Sequence, residues 1–327
     1  MSESAENINL SRIDVPTGDS NDGTSFTKFV KTNTCVAGHG TLFDAFLMEA
    51  SLQIGQSIMI MPWIFANLGY AGGTLLLVLF AGTSLYSQFL LTSLLAQYRQ
   101  RLDQEGDKNN NNEKHVASYY EVISYLCGPY WGYFSLLVVI LALLGLSTAQ
   151  IISTASNLYA LNNSLDKRSL TLISGGVFSS LCLVPTFRHY RVVAITALLA
   201  TTYTAWYMTI ASALEGPPPD NNDCEEEGPS VQEFFTAFTA LLFTFGGHTA
   251  SVERADVMDD RKKYDFGFGL AILYAFVIAF PNGVTTLHAF GADTVRQNEN
   301  AFFLFSDNDI FRNIGIVLMC LHDFVAF

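Results

Sequence analysis

Charged residues are absent from long stretches of this 327-residue chain, and their absence is the first guide to its structure. No Asp, Glu, Lys or Arg occurs between Glu49 and Arg99, or between Glu121 and Asp166. These runs exclude a chain of soluble domains, because they supply the roughly 20 mostly apolar residues that a bilayer-spanning helix needs. Further uncharged windows cover residues 169–187, 192–214, 234–252 and 266–292.

Cysteine is also scarce, and the five cysteines form no disulfide framework. Cys127, Cys182 and Cys320 fall at or in predicted helices, and Cys35 belongs to the polar N-terminal region. Cys224 alone falls in a predicted outer loop, so it has no predicted partner on that side.

Signals for secretion and for catalysis are missing as well. Residues 1–40 are polar and lack the apolar core of a signal peptide, so the first helix is expected to insert itself. No nucleophile–base pair, phosphate-cradling loop, metal-ligand cluster or basic face for nucleic acid is evident. The sequence therefore predicts a protein that is not an enzyme, with no catalytic residues, metal, cofactor or nucleic-acid partner.

What is present predicts an all-α polytopic membrane protein with about eight transmembrane helices. A disordered cytoplasmic tail (residues 1–40) is expected to precede a transmembrane domain (residues 41–327). Residues 115–128 are interpreted as an amphipathic helix at the inner interface, with a plain loop as the alternative. The predicted helices cover residues 43–69, 71–98, 130–161, 169–187, 190–214, 231–258, 266–290 and 310–327.

The basic residues are distributed unevenly between the predicted loops. If the N-terminus is cytoplasmic, four of the seventeen Lys and Arg residues face outward, namely Lys167, Arg168, Arg296 and Arg312. Because cytoplasmic loops carry the excess of Lys and Arg, this asymmetry predicts that the N-terminus lies inside.

The sixth predicted helix is interrupted by Gly246, Gly247 and His248. Glycine costs about 1 kcal/mol relative to alanine in a helix interior. A helix that opens inside a bilayer needs its freed backbone groups to face protein, water or ligand, and a titratable side chain there indicates function. The alternative is a lipid-exposed kink whose histidine bonds a neighbouring helix.

The first predicted helix also contains a candidate break, where Gln53 and Gln56 flank Gly55. A polar contact between helices explains this segment equally well. Gln150 in the third helix and Tyr203 in the fifth are candidates for the same site. Aromatic residues at this depth more often pack than bind, so packing is the main alternative for Tyr203.

The two breaks lie about 190 residues apart, and each opens a set of helices. Corresponding breaks of this kind are typical of the central site of inverted-repeat transporters. Amides freed after Gly247 would direct partial positive charge at a substrate carboxylate. His248 would add a donor whose charge changes near neutral pH, and Phe245 is a candidate for contact with an aromatic body.

Several long runs also have a recognisable pattern. Phe243–His248 is followed by Val252 and Glu253, and the other runs are Ala155–Tyr159, Leu165–Arg168, Thr201–Tyr207, Ile210–Ser212 and Leu321–His322. Together they resemble plant auxin influx carriers of the amino acid/auxin permease family. The resemblance runs in order from about Phe43 to the last residue, and it implies a LeuT-type fold and proton-driven uptake of indole-3-acetic acid across the plasma membrane.

The chain departs from the family pattern at two positions. Leu52 stands where asparagine is usual, and Asp323 stands where glutamine is usual. Asp323 places an acid near membrane depth, where it is costly unless it is paired or hydrated. Family members also continue with further helices, so the second inverted repeat is expected to be incomplete in this chain.

The predicted function is therefore proton-coupled symport of auxin, or of a related aromatic or amino acid, by alternating access. A general amino-acid permease and a non-transporting, truncated membrane protein remain as alternatives. Proton coupling is assigned to His248 and Asp323, against the alternative that His248 is neutral and structural. The predicted substrate-binding residues are Gln53, Gly55, Gln56, Gln150, Tyr203, Phe245, Gly246, Gly247 and His248.

Overall fold

A computed structural model describes residues 41–53, 55–105, 117–181, 190–217, 228–258 and 260–326. Every regular element within these ranges is helical. The predicted tail, together with Cys35, Cys182 and Cys224, lies outside the described residues. The helices are α1 (Leu42–Gln53), α2 (Ser57–Glu105), α3 (Tyr119–Cys127), α4 (Pro129–Leu161), α5 (Lys167–Leu181), α6 (Tyr190–Glu215), α7 (Val231–Thr244), α8 (Ser251–Val257), α9 (Arg261–Phe290), α10 (Ala292–Arg296) and α11 (Ile310–Ala326), with single 3-10 turns at Gly247–Ala250 and Ala301–Leu304.

The chain is an all-α polytopic membrane protein. Within the described ranges, α2, α4, α6 and α9 are each long and apolar enough to cross a membrane, and α7 is a shorter apolar helix. Gly69 has a φ of 73° and divides α2 into two helices. Glycine adopts a positive φ without the steric penalty of a Cβ atom. The chain is therefore kinked at Gly69, between the first and second predicted helices.

Some helix boundaries differ from the sequence-based expectation. α9 begins at Arg261 rather than at residue 266, and the side chain of Asp260 caps it by accepting from the Lys262 amide at 3.0 Å. Hydropathy detects only the part of a helix that lies in lipid, so a charged first turn is missed. The helix expected within residues 115–128 is present as α3, and residues 182–187 of the fourth predicted helix lie outside the described ranges.

α9 lies at the centre of the bundle, where it packs against α1, α2 and α6. α11 packs against α4 and α6, while α7 packs against α2. Phe65, Phe268 and Phe302 are fully buried in the core between these helices. The outer face of α4 exposes apolar side chains such as Phe134 and Leu141, as expected for a surface in contact with lipid.

One end of the bundle, here called the Asp256 end, is held by carboxylates of α8. Asp256 accepts hydrogen bonds from the guanidinium of Arg99 in α2 and, at 2.9 Å, from the Ala117 amide. Glu253 accepts from the Tyr119 amide at 2.9 Å. The short helix α8 is thereby bound both to α2 and to the start of α3.

The opposite end, here called the Asn300 end, is held by Arg312 of α11. This side chain is almost completely buried, and it donates to the Phe302 carbonyl at 2.8 Å and to the Ala160 carbonyl at 3.0 Å. It also pairs with Asp307 at 2.9 Å. Arg312 therefore joins α11, α4 and the loop that follows Asn300.

Pro62 creates a local backbone requirement that a distant residue meets. Proline has no N–H, so the Ile58 carbonyl one turn earlier loses its usual helical partner. The side-chain amide of Asn282 in α9 donates to that carbonyl at 2.6 Å, and both residues are fully buried. This bond fixes the beginning of α2, which follows the predicted break at Gly55, against α9 at the centre of the bundle.

Candidate functional site

The first break separates α1 from α2. α1 ends at Gln53, α2 begins at Ser57, and Gly55 and Gln56 form the turn between them. His322 of α11 packs directly on this turn, because a Cβ atom on residue 55 would lie 1.9 Å from its Nε2. Glycine is required here by close approach of an imidazole ring, and the break is fixed by α11.

The second break separates α7 from α8. α7 ends at Thr244, and the backbone continues with shorter-range bonds, from the Phe245 amide to the Leu242 carbonyl and from the Gly246 amide to the Phe243 carbonyl. A 3-10 turn from Gly247 to Ala250 then leads into α8. The interruption therefore extends beyond the predicted residues 246–248.

A cavity of about 620 Å³ lies between the two breaks and α4. This volume is within the usual range of sites for small organic molecules. Its lining combines apolar side chains with a few polar groups. The lining residues include Glu49, Gln53, Gly55, Gln56, Met59, Ile60, Leu146, Gln150, Ser153, Phe243, Gly246, Gly247, Arg254, Glu299 and Asn300.

Three glutamines contribute side-chain amides to this cavity. Gln56 donates to the Gln150 side-chain oxygen at 2.6 Å, so the first break is linked to α4. Gln53 is buried, and neither atom of its amide has a hydrogen-bond partner among the described residues. An unpaired buried amide is costly, so its presence at a cavity wall indicates a position for water or ligand.

A buried ion pair lies at the Asp256 end of the cavity. Arg254 of α8 donates to Glu49 Oε1 of α1 at 2.9 Å, and the Tyr264 hydroxyl of α9 donates to the same oxygen at 2.5 Å. Of the described residues that line the cavity, Arg254 alone carries a positive charge. This pair was not among the predicted site residues, although Glu49 borders one uncharged window of the sequence and Arg254 directly follows Glu253, which borders another.

Asp323 lies behind the cavity wall, in α11. Its carboxyl group is fully buried and accepts from the Thr154 hydroxyl at 3.0 Å. Ser153 and Gln56, which both line the cavity, are neighbours of this carboxyl. Asp323 is thus close to the cavity without facing it directly.

His248 and Phe245 lie on the other side of the second break. They line a separate cavity of about 360 Å³ between α2 and α7. Ser84 of α2 donates to the Phe245 carbonyl at 3.0 Å and lies 3.5 Å from His248 Nε2. The His248 ring packs against Phe268 at a centroid distance of 5.5 Å. The structure therefore does not bring these two predicted residues into the larger cavity.

Tyr203 is also remote from the larger cavity. Its ring stacks on Tyr207 at a centroid distance of 6.4 Å, and its hydroxyl donates to the Phe311 carbonyl at 3.2 Å. These contacts correspond to the packing alternative for Tyr203. Of the nine predicted binding residues, the cavity brings together Gln53, Gly55, Gln56, Gln150, Gly246 and Gly247.

A helical bundle with a cavity between two interrupted helices is typical of membrane transporters. The family model described as "Transmembrane amino acid transporter protein" matches residues 38–327, and the chain belongs to this family. This is a family of transporters and not of enzymes. No solved structure gives a significant match to the chain.

Curated relatives come from several plants. The chain is 35% identical to auxin transporter-like protein 2 of Medicago truncatula and to auxin transporter-like protein 1 of Arabidopsis thaliana, in each case over 88% of its own length and 58% of the relative's. It is 35% identical to auxin transporter-like protein 2 of Oryza sativa subsp. japonica, over 92% of its length and 61% of the relative's. The chain thus spans about three fifths of the length of the relatives it matches.

Proposed function

We propose that this protein is a proton-coupled symporter that imports auxin, or a related aromatic or amino acid, across the plasma membrane by alternating access. One observation carries the proposal: two interrupted helices face a single cavity whose size and mixed lining suit a small organic acid. The printed names of the relatives support auxin as the substrate, and the family description supports amino acids.

The proposed binding mode places the ring of the substrate against the apolar wall of α4 and Phe243. The amides of Gln53, Gln56 and Gln150 then orient its polar end, next to Gly247, where the 3-10 turn of the second break begins. Amides are suitable for this role because each offers both donors and an acceptor without the cost of a buried charge.

Proton coupling is proposed for His248 and Asp323. Asp323 adjoins the cavity through Ser153 and Gln56, and His248 lies within the second break, where its ring is 3.5 Å from Ser84. Titratable groups at the depth of the membrane are rare unless they serve transport or are paired, which favours this role. The N-terminus is proposed to be cytoplasmic, since the predicted loops on that side carry most of the basic residues.

Uptake of radiolabelled indole-3-acetate by cells that express the chain tests the proposal. We expect saturable uptake that is faster at about pH 5.5 than at about pH 7.5, because the proton gradient drives symport. Gln150→Leu should weaken the apparent affinity by about tenfold, since the Gln56 amide loses its partner in the cavity. The exposed Gln297→Leu variant is the matched control and should transport as the wild type does.

Competition separates the candidate functions. Inhibition by unlabelled indole-3-acetate and not by tryptophan supports an auxin carrier, whereas inhibition by several unrelated amino acids supports a general amino-acid permease. No uptake above that of cells without the chain, from protein shown to be in the membrane, contradicts transport and supports the non-transporting alternative.

A further inference from the structure

The ion pair between Glu49 and Arg254 has an unusual position for a purely structural contact. Both residues line the larger cavity, but the Glu49 side chain is only 1% exposed and the Arg254 side chain 18%. Glu49 belongs to α1, before the first break, and Arg254 belongs to α8, after the second. The pair therefore links the two interrupted helices on the cavity wall.

The surroundings of Glu49 define which groups act on its carboxylate. Elements packed against this part of α1 contribute Arg254 from α8, Tyr264 from α9 and, in the 3-10 turn, the imidazole of His248. Asp44 on α1 itself is engaged by Arg191 of α6 at 2.7 Å, about one turn away from Glu49. Arg254 is thus the cation, and Tyr264 the neutral donor, in direct contact with Glu49.

Charge balance limits what this pair can do. A substrate carboxylate that enters the cavity adds a negative charge next to Glu49, and two adjacent carboxylates repel strongly in a site of low dielectric. If Glu49 takes up a proton, Arg254 is released from one carboxylate and can bind another. One proton and one anion then enter together, and the net charge of the site is unchanged.

We infer that Arg254 is the binding group for the substrate carboxylate, and that protonation of Glu49 makes Arg254 available to it. This inference rests on the proposed function, because it takes an organic anion as the substrate. In the state described by the structure, Glu49 occupies the position of the substrate carboxylate on Arg254. Proton and anion binding each favour the other, as linkage requires.

Binding of radiolabelled indole-3-acetate to the purified chain in lipid nanodiscs tests the inference. Wild-type affinity should fall between about pH 5.5 and about pH 7.5, and protonation of Glu49 contributes at most about tenfold per pH unit to this fall. Glu49→Gln should lose that contribution, because its side chain carries no charge and does not compete, and should keep only the pH dependence that belongs to His248, Asp323 and the ligand itself. Arg254→Ala should lose about tenfold or more in affinity at every pH.

A second variant tests the inference even if the Glu49→Gln protein does not fold. Tyr264→Phe removes the hydroxyl that donates to the Glu49 carboxylate, so the charged side chain loses a hydrogen bond and tight binding should persist to higher pH. Asp44→Asn is the matched control, since it neutralises the other paired carboxylate of α1 at a position outside the cavity lining. Its pH profile should equal that of the wild type.

A neutral analogue with the same ring system, indole-3-acetamide, distinguishes the two proposals. Its affinity should be the same in the wild type and in Arg254→Ala. If the wild type binds indole-3-acetate but Glu49→Gln and Tyr264→Phe keep the wild-type pH profile, this inference is wrong and the proposed function stands. If the wild type binds neither molecule, the proposed substrate class is wrong, and the role inferred for Arg254 and Glu49 is wrong as well.

Discussion

Gly55→Ala is expected to abolish measurable binding of indole-3-acetate and to destabilise the folded chain. The added Cβ atom would lie 1.9 Å from Nε2 of His322 and 2.7 Å from its Cδ2. His322 is 1% exposed, so its ring is enclosed by other parts of the protein. Overpacking of a tight core typically costs about 1–3 kcal/mol, and here the strain falls on the first helix break itself.

Gly145→Ala is the matched control, because this glycine lies in α4 and a Cβ atom there would meet no atom within 4 Å. Alanine favours helix over glycine by up to about 1 kcal/mol, so this variant should be as stable as the wild type or slightly more so. Combining Gly55→Ala with His322→Ala should restore part of the lost stability, as measured by thermal unfolding in detergent. Equal stability of Gly55→Ala and Gly145→Ala would contradict the contact between His322 of α11 and the break at Gly55.

Arg312→Met is expected to cost about 2–6 kcal/mol in the free energy of unfolding, because two buried carbonyls each lose a donor worth about 1–3 kcal/mol. Those carbonyls belong to Phe302, beside the cavity-lining Asn300, and to Ala160 of α4. Methionine keeps much of the side-chain volume, so the loss is mainly one of hydrogen bonds. The Asn300 end of the bundle should therefore loosen.

Hydrogen exchange measured by mass spectrometry checks this result. Amides of residues 300–306 and of the end of α4 should exchange faster in Arg312→Met, while those of α8 at the opposite end should not change. Arg168→Met is the control, since Arg168 is an exposed basic residue in the first turn of α5. Unchanged exchange of residues 300–306 in Arg312→Met would show that this arginine does not hold the loop.

Sequence reasoning found both helix breaks for a physical reason. Glycine and paired glutamines are costly inside a lipid-exposed helix, so Gly55 and Gly246 were visible as exceptions within apolar runs. The same reasoning found six of the residues that line the larger cavity. Local composition is sufficient for such features because the penalty acts on the segment that contains them.

The sequence alone does not determine on which side of the second break the side chains of His248 and Phe245 lie. A 3-10 turn advances side chains by about 120° per residue instead of 100°, so the direction of His248 changes with the exact place where the helix opens. The Glu49–Arg254 contact depends on tertiary packing, since it joins residues 205 positions apart. Charged residues near helix ends are common in any membrane protein, so neither charge stands out in the sequence.

Photoaffinity labelling with 5-azidoindole-3-acetic acid tests most directly whether the cavity between the two breaks is the binding site. The label should attach within residues 142–156 of α4, the segment that contributes to the wall of the larger cavity, and excess indole-3-acetate should prevent it. Mass spectrometry of the digested chain locates the adduct. Attachment that indole-3-acetate prevents but that maps to residues 80–87 of α2, beside His248, would place the substrate in the smaller cavity and contradict the account.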